Sequence, residues 1–196
     1  MIRTPASRPA GYFEALYAAS PDPWNFAGSD YEHAKYRATL AALPQPRFGA
    51  AFEVGCSIGV LTARLAPRCD RLLAVDAAEA PLARARAATA GFPHVRIARM
   101  CIPDQWPEER FDLIVFSEVL YFLSPTDVAR TASATLAALA PDGCVVLVNW
   151  TGHSDDPCGG EQAVRIFEAT ACTLRPLTRS RTQHYRLDVL SAARPE

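Results

Sequence analysis

No stretch limits the possible folds of this chain as tightly as residues 51–61, Ala-Phe-Glu-Val-Gly-Cys-Ser-Ile-Gly-Val-Leu. A short apolar run carrying one acid leads into a glycine-containing turn, and apolar residues then recur at Val60, Leu61, Ala63 and Leu65. That pattern predicts strand, tight turn and helix. Gly55 permits a sharp turn and leaves room for a ligand where a Cβ would intrude. Gly59 lets the new helix pack closely on the strand, and the first N–H groups of that helix are open to an anion.

Two nucleotide-binding readings compete for this turn. A dinucleotide fingerprint, G-x-G-x-x-G, needs glycine at 55, 57 and 60, but Ser57 and Val60 stand at two of those places. The stretch instead resembles the first motif of class I S-adenosylmethionine (AdoMet) methyltransferases, acid-x-Gly-x-Gly-x-Gly. Glu53, Gly55 and Gly59 match it, and Ser57 replaces the middle glycine. The resemblance implies that the methionine part of AdoMet lies close to the backbone here. The acid then orders the turn and favours the cofactor's ammonium, directly or through water. A purely structural βα turn is the alternative.

Around this unit the chain alternates. Residues 1–8 read as a disordered leader, and a first helix is expected over 10–19. Ser20-Pro21-Asp22-Pro23 breaks it, and Trp24 and Phe26 follow in a loop. Asp30 is the expected cap of a second helix running to about Leu43. Strands are expected at 50–54, 71–76, 95–100, 111–117 and 144–149, with helices at 58–66, 79–90 (stopped by Gly91) and from Ser124 to about 141. Five such strand–helix repeats argue for a parallel, doubly wound sheet. A helix over 160–171 and alternating segments at 174–181 and 184–191 complete the chain. The expected fold is therefore α/β, a Rossmann-like seven-stranded sheet, parallel with an antiparallel C-terminal strand.

Composition narrows the function classes. The 196 residues are 49% hydrophobic with net charge −1, which fits one large core and gives no bulk attraction to nucleic acid or membrane. The start of the chain lacks the apolar core of a secretory signal. Six cysteines are scattered without a C-x-x-C pair, so a reduced, cytoplasmic protein without zinc is expected.

Several polar residues fall at strand ends, where open α/β sheets bind ligands. Asp76 closes the second strand 21 residues after Gly55, placed to accept bonds from both ribose hydroxyls of an adenosine. Its alternative is a turn acid. Met100 stands where many class I enzymes place an Asp for the adenine amino group. Adenine is therefore expected against backbone groups and the packing of Met100, Cys101 and Ile102. Ser117, Glu118 and Tyr121 follow the fourth strand, where a carboxylate and a phenol can orient a nucleophile or take its proton. His153 follows the fifth strand and is read as shaping an acceptor pocket, with metal binding disfavoured. His33, His94 and His184 have no cluster and are assigned no role.

A narrower family enters with Asp22-Pro23-Trp24, Tyr31-Glu32, Lys35-Tyr36, Phe52-Glu53-x-Gly55-Cys56-Ser57-Ile58-Gly59 and Ser117-Glu118-Val119-Leu120-Tyr121. Together these resemble the NodS-like methyltransferases over about residues 12–190. The resemblance implies a class I methyltransferase domain over 46–196 behind a helical lid over 1–45. It implies AdoMet as cofactor, S-adenosylhomocysteine as product, and a small-molecule amine, such as an amino sugar, as acceptor. The cofactor set becomes Trp24, Lys35, Glu53, Gly55, Cys56, Ser57, Gly59, Asp76, Ala77, Met100, Cys101, Ile102, Ser117 and Glu118. Glu118, Tyr121 and His153 form the catalytic set, with no metal. The expected state is monomer or homodimer. An O-methyltransferase and a non-catalytic adenosine-binding module stay open as alternatives.

Overall fold

The computed structural model describes residues 6–192. Seven strands form one sheet in the order β3-β2-β1-β4-β5-β7-β6. They are β1 (Ala51–Val54), β2 (Leu72–Asp76), β3 (Val95–Arg99), β4 (Phe111–Ser117), β5 (Leu139–Trp150), β6 (Leu174–Arg181) and β7 (Tyr185–Ala192). The first five run parallel, and β7 enters antiparallel to both β5 and β6. The chain order reverses between β1 and β4, which leaves a crevice beyond the C-terminal strand ends.

The side-chain period of two divides the core between the sheet's faces. Phe52, Val54, Ile114, Phe116, Val145 and Leu147 point to one face, where α5 (Pro125–Ala138) and α6 (Gly160–Thr170) cover them. Ala51, Leu113, Val115, Val146 and Val148 point to the other, beneath α2 (Asp30–Ala41) and α3 (Val60–Leu65). Being covered on both sides is why the strands read as near-continuous apolar runs. Of the remaining helices, α1 (Ala10–Ala19) borders the crevice and α4 (Leu82–Ala88) packs on β2 beside α3.

Several local expectations are corrected. Of the supposed leader, residues 1–5 lie outside the described residues, whereas Ser7 and Arg8 are fixed in place. Ser7 Oγ donates to Asp127 (2.5 Å) and accepts from the Ser124 amide (2.8 Å), while the Arg8 amide donates to Phe122 O. Ser29, rather than Asp30, caps α2, because its hydroxyl accepts the Glu32 amide three residues on. Helix α3 gives way to a 3₁₀ turn at Ala66–Arg68, where Pro67 removes an amide donor. Helix α4 ends at Ala88 with Thr89 as its cap, before Gly91; the Thr89 hydroxyl bonds Ala85 O. No helix joins β3 to β4, so one of the five strand–helix repeats is missing. Strand β5 begins at Leu139 rather than 144 and carries an irregularity in its pairing with β4; Asp142, not Gly143, takes the positive φ there (62°).

Candidate active site

The β1–α3 turn takes positive φ at alternate residues: Gly55 (77°), Ser57 (50°) and Gly59 (83°). Ser57 thus holds a left-handed conformation that glycine adopts without steric cost. Space explains the flanking glycines differently from the sequence reading. A Cβ on Gly55 would stand 2.3 Å from Val119 Cγ2, so that room belongs to Val119. One on Gly59 would stand 2.8 Å from Ala85 Cα, so Gly59 brings α3 against α4 rather than against the strand.

Two long-range bonds hold Ser57, and a local one fixes the acid that it meets. The Ser57 amide donates to Asp76 Oδ2 (2.9 Å), the Ala78 amide to Asp76 Oδ1 (3.0 Å), and the Tyr17 hydroxyl to Ser57 Oγ (2.5 Å). Burial pushes the Asp76 carboxyl up, and the amides of Ala78, Ser57 and Ala77 pull it back. Asp76 therefore braces the turn, and it also lines the cavity.

That cavity, of about 460 Å³, opens at the C-terminal ends of β1, β2, β4 and β5. Trp24 and Lys35 reach it from the N-terminal segment, and Gly55, Ser57, Asp76 and Ala77 from the first two strand ends. Met100, Cys101 and Ile102 line it after β3, and Ser117, Glu118 and Tyr121 after β4. Glu53 and Cys56 line instead a small adjoining space of about 20 Å³, shared with Ser117 and Glu118. A space of ~10–15 Å³ holds one water molecule. Gly59 lines neither space. His153 is exposed and lines neither: beyond Trp150 the chain turns outward, and Asp156 is the residue that returns to the wall.

Backbone donors at the third strand end are already committed. The Met100 amide donates to Asp76 O and the Cys101 amide to Gln105 Oε1 (2.7 Å). Side-chain packing, rather than these two amides, is what residues 100 and 101 offer a ligand.

Charge gathers at the other end. Lys35 is buried, and its ammonium donates to Glu32 Oε1 (2.9 Å) and Glu118 Oε1 (2.7 Å). Glu118 Oε2 accepts the Trp150 amide (2.8 Å), and Glu118 itself sits at φ +60°. Burial pushes the Glu32 carboxyl up while Lys35 pulls it back. Burial and the neighbouring Glu118 both hold the Tyr121 phenol neutral. Deep burial raises Glu53 to about 7, with the Thr62 hydroxyl acting against it.

The sequence reading missed Arg8, Tyr12, Phe13, Tyr17, Trp150 and Asp156 in the cavity wall. Arg8 binds Asp156 (3.2 Å) and lies over the Tyr12 ring (4.7 Å), while His184, assigned nothing, stacks on Trp150 at 5.5 Å. Phe13 and Tyr17, four residues apart on α1, were a visible aromatic face. Arg8 carried no signal.

The family model for Nodulation protein S (NodS) matches residues 15–154. The chain belongs to the NodS family. Nodulation protein S of Rhizobium tropici is 35% identical over 130 residues, 65% of this chain and 55% of that protein. Its counterpart in Bradyrhizobium diazoefficiens is 35% identical over 159 residues, covering 76% of this chain and 74% of the relative. The chain thus spans little more than half the length of the first relative and about three quarters of the second. Among solved structures, the N-methyltransferase NodS from Bradyrhizobium japonicum WM9, in complex with S-adenosylhomocysteine, superposes with a TM-score of 0.82 at 26% identity. The match covers 96% of this chain and 100% of that one. The NodS-like chain accordingly has the class I methyltransferase fold. Among its described residues no group of His, Cys, Asp and Glu could hold a metal ion, and no helix is long and apolar enough to cross a membrane.

Proposed function

We propose that this chain is an AdoMet-dependent methyltransferase acting on a small-molecule amine. The observation that carries the proposal is the single cavity wall shared by Ser57, Asp76 and Glu118, in a fold superposable on a NodS protein that holds S-adenosylhomocysteine.

The residues present fit the cofactor. Asp76 lines the cavity, and beyond the turn amides it accepts, its carboxylate keeps acceptor capacity for the ribose. Met100 and Ile102 supply an apolar wall for adenine. Buried Glu53 Oε2 has no hydrogen-bond partner and borders the water-sized space, which suits a link to the cofactor's ammonium. Trp24, Tyr17 and Ser57 stand around the methionine end. Gly59 acts only through helix packing.

When bound, the cofactor supplies an electrophilic methyl group. The protein's part is to exclude water and to hold an amine with its lone pair free. Glu118 lines the cavity with two of its four acceptor positions in use, so it can bind the acceptor's N–H and take a proton. Tyr121, held neutral beside it, can donate or accept a hydrogen bond. Glu32, Lys35 and Glu118 together carry one net negative charge, which favours a nitrogen becoming cationic and opposes a carboxylate acceptor. Helices α1 and α2 cover both ligands.

The test is formation of S-adenosylhomocysteine with a panel of small amines, glucosamine among them, against matched carboxylic acids and alcohols. Turnover of amines supports the proposal. Turnover confined to acids or alcohols overturns the N-methyl reading.

A further inference from the structure

The chemistry assigned to Glu118 depends on a carboxylate held still, and its two shortest holds come from outside its own loop. Glu118 leaves β4 in a left-handed conformation, and those two bonds come from the Trp150 amide at the end of β5 and the Lys35 ammonium 83 residues away on α2. Lys35 is buried to 3% exposure, and among the described residues its ammonium bonds only two carboxylates, which share its charge. Glu32 lies one turn before it on the same helix, and the Tyr31 ring faces the ammonium at 5.2 Å. Glu32 Oε2 and the Tyr31 hydroxyl are buried without hydrogen-bond partners. A cation that only neutralised Glu118 would leave the wall uncharged.

We infer that Lys35 is a positioning residue for Glu118 rather than a cofactor ligand, and that Glu32, by sharing Lys35, keeps the amine-facing wall at one net negative charge. This rests on the reading of Glu118 as the carboxylate that meets the amine. Helix α2 then does more than cover the cavity. Docking it against the strand ends delivers the ammonium that fixes the Glu118 carboxylate and the second acid that keeps the wall attractive to a cationic nitrogen. A buried charge stripped of its partner is costly, so the three groups stand or fall together.

The test reads the cluster without substrate. The backbone amide resonance of Trp150 reports the Glu118 Oε2 bond, ¹³C-carboxyl NMR follows the titration of Glu32, and calorimetry with S-adenosylhomocysteine reads the cofactor site. Around Glu32 stand Lys35, Tyr31 and Tyr36 from α2, and Glu118 and Tyr121 from the β4 loop. In Lys35→Met the Trp150 amide should shift as it does in Glu118→Gln, and Glu32 should titrate at higher pH. The S-adenosylhomocysteine Kd should stay within threefold, and Lys35→Arg should move the amide back toward wild type. A folded Lys35→Met protein with an unmoved Trp150 amide, or with cofactor binding weakened more than tenfold, overturns the inference. Should Lys35→Met not fold, Glu118→Gln alone decides. Glu32 should then titrate at lower pH, because a like charge is gone and Lys35 is freed; no movement contradicts the shared lysine. Failure of the wild-type protein to bind S-adenosylhomocysteine would remove the methyltransferase reading, while the Trp150 and Glu32 resonances would still decide, on their own, whether Lys35 holds Glu118.

Discussion

The Tyr17 hydroxyl bonds Ser57 Oγ at 2.5 Å, tying the first helix to the one residue of the β1–α3 turn that holds a positive φ without being glycine. The serine that breaks the glycine pattern is thus also a point where α1 meets the sheet.

Two substitutions separate its roles. Ser57→Gly relieves a left-handed strain of ~1–2 kcal/mol but loses a hydrogen bond of ~0.5–1.5 kcal/mol and adds chain entropy, so stability should change by less than about 1 kcal/mol. Ser57→Ala keeps the strain and loses the bond, and should destabilise by ~1–3 kcal/mol. Urea denaturation of both variants distinguishes them, and equal losses would contradict the account.

Gly55 and Gly59 should fail differently. An alanine at 59 meets the Cα of Ala85 at 2.8 Å, backbone that cannot rotate away, whereas one at 55 meets only the Val119 side chain. Both carry the left-handed penalty. Gly59→Ala should cost ~2–5 kcal/mol, and Ala85→Gly should not rescue it. Gly55→Ala should recover in part when Val119→Ala is added. Thermal unfolding of the single and double variants checks this.

Glu53 sets a pH dependence of stability. Its carboxyl is raised from 4.5 to about 7 in the folded protein, so the folded state holds a proton that the unfolded chain releases. Its contribution is full below pH 4.5 and is lost as pH rises through 7, a fall on the order of 2–4 kcal/mol. Glu53→Gln should flatten that slope in unfolding measured from pH 4.5 to 8. An unchanged slope contradicts the burial argument.

The parts of the site that lie on consecutive residues were legible in the sequence. The turn around Ser57, the acid at Asp76, the Met100–Ile102 wall and the Ser117–Tyr121 loop follow from strand ends, and strand ends follow from apolar periodicity. What escaped depends on pairings across the fold. Arg8 matters because it meets Asp156, 148 residues on, and Tyr17 because it meets Ser57. His153 misled because a histidine beside two acids looks chemical wherever the loop points; here the loop gives Asp156 to the wall and leaves the imidazole exposed. Glu118 was identified, yet its two partners, Lys35 and the Trp150 amide, were not.

Replacing Glu118 by Ala should separate chemistry from binding. Turnover with an accepted amine should fall by ~10²–10⁴, while S-adenosylhomocysteine affinity changes only a few-fold. Steady-state kinetics alongside calorimetry reads both, and unchanged turnover removes Glu118 from the catalytic set.

Everything proposed for the cavity depends on the adenosyl site built on Asp76, and calorimetric titration with S-adenosylhomocysteine tests that site most directly. Wild-type protein should bind with micromolar affinity or better, Asp76→Ala should lose that binding, and NAD should not bind to either. A well-folded wild-type protein that takes up no S-adenosylhomocysteine, or an Asp76→Ala protein that binds it as the wild type does, would contradict the account.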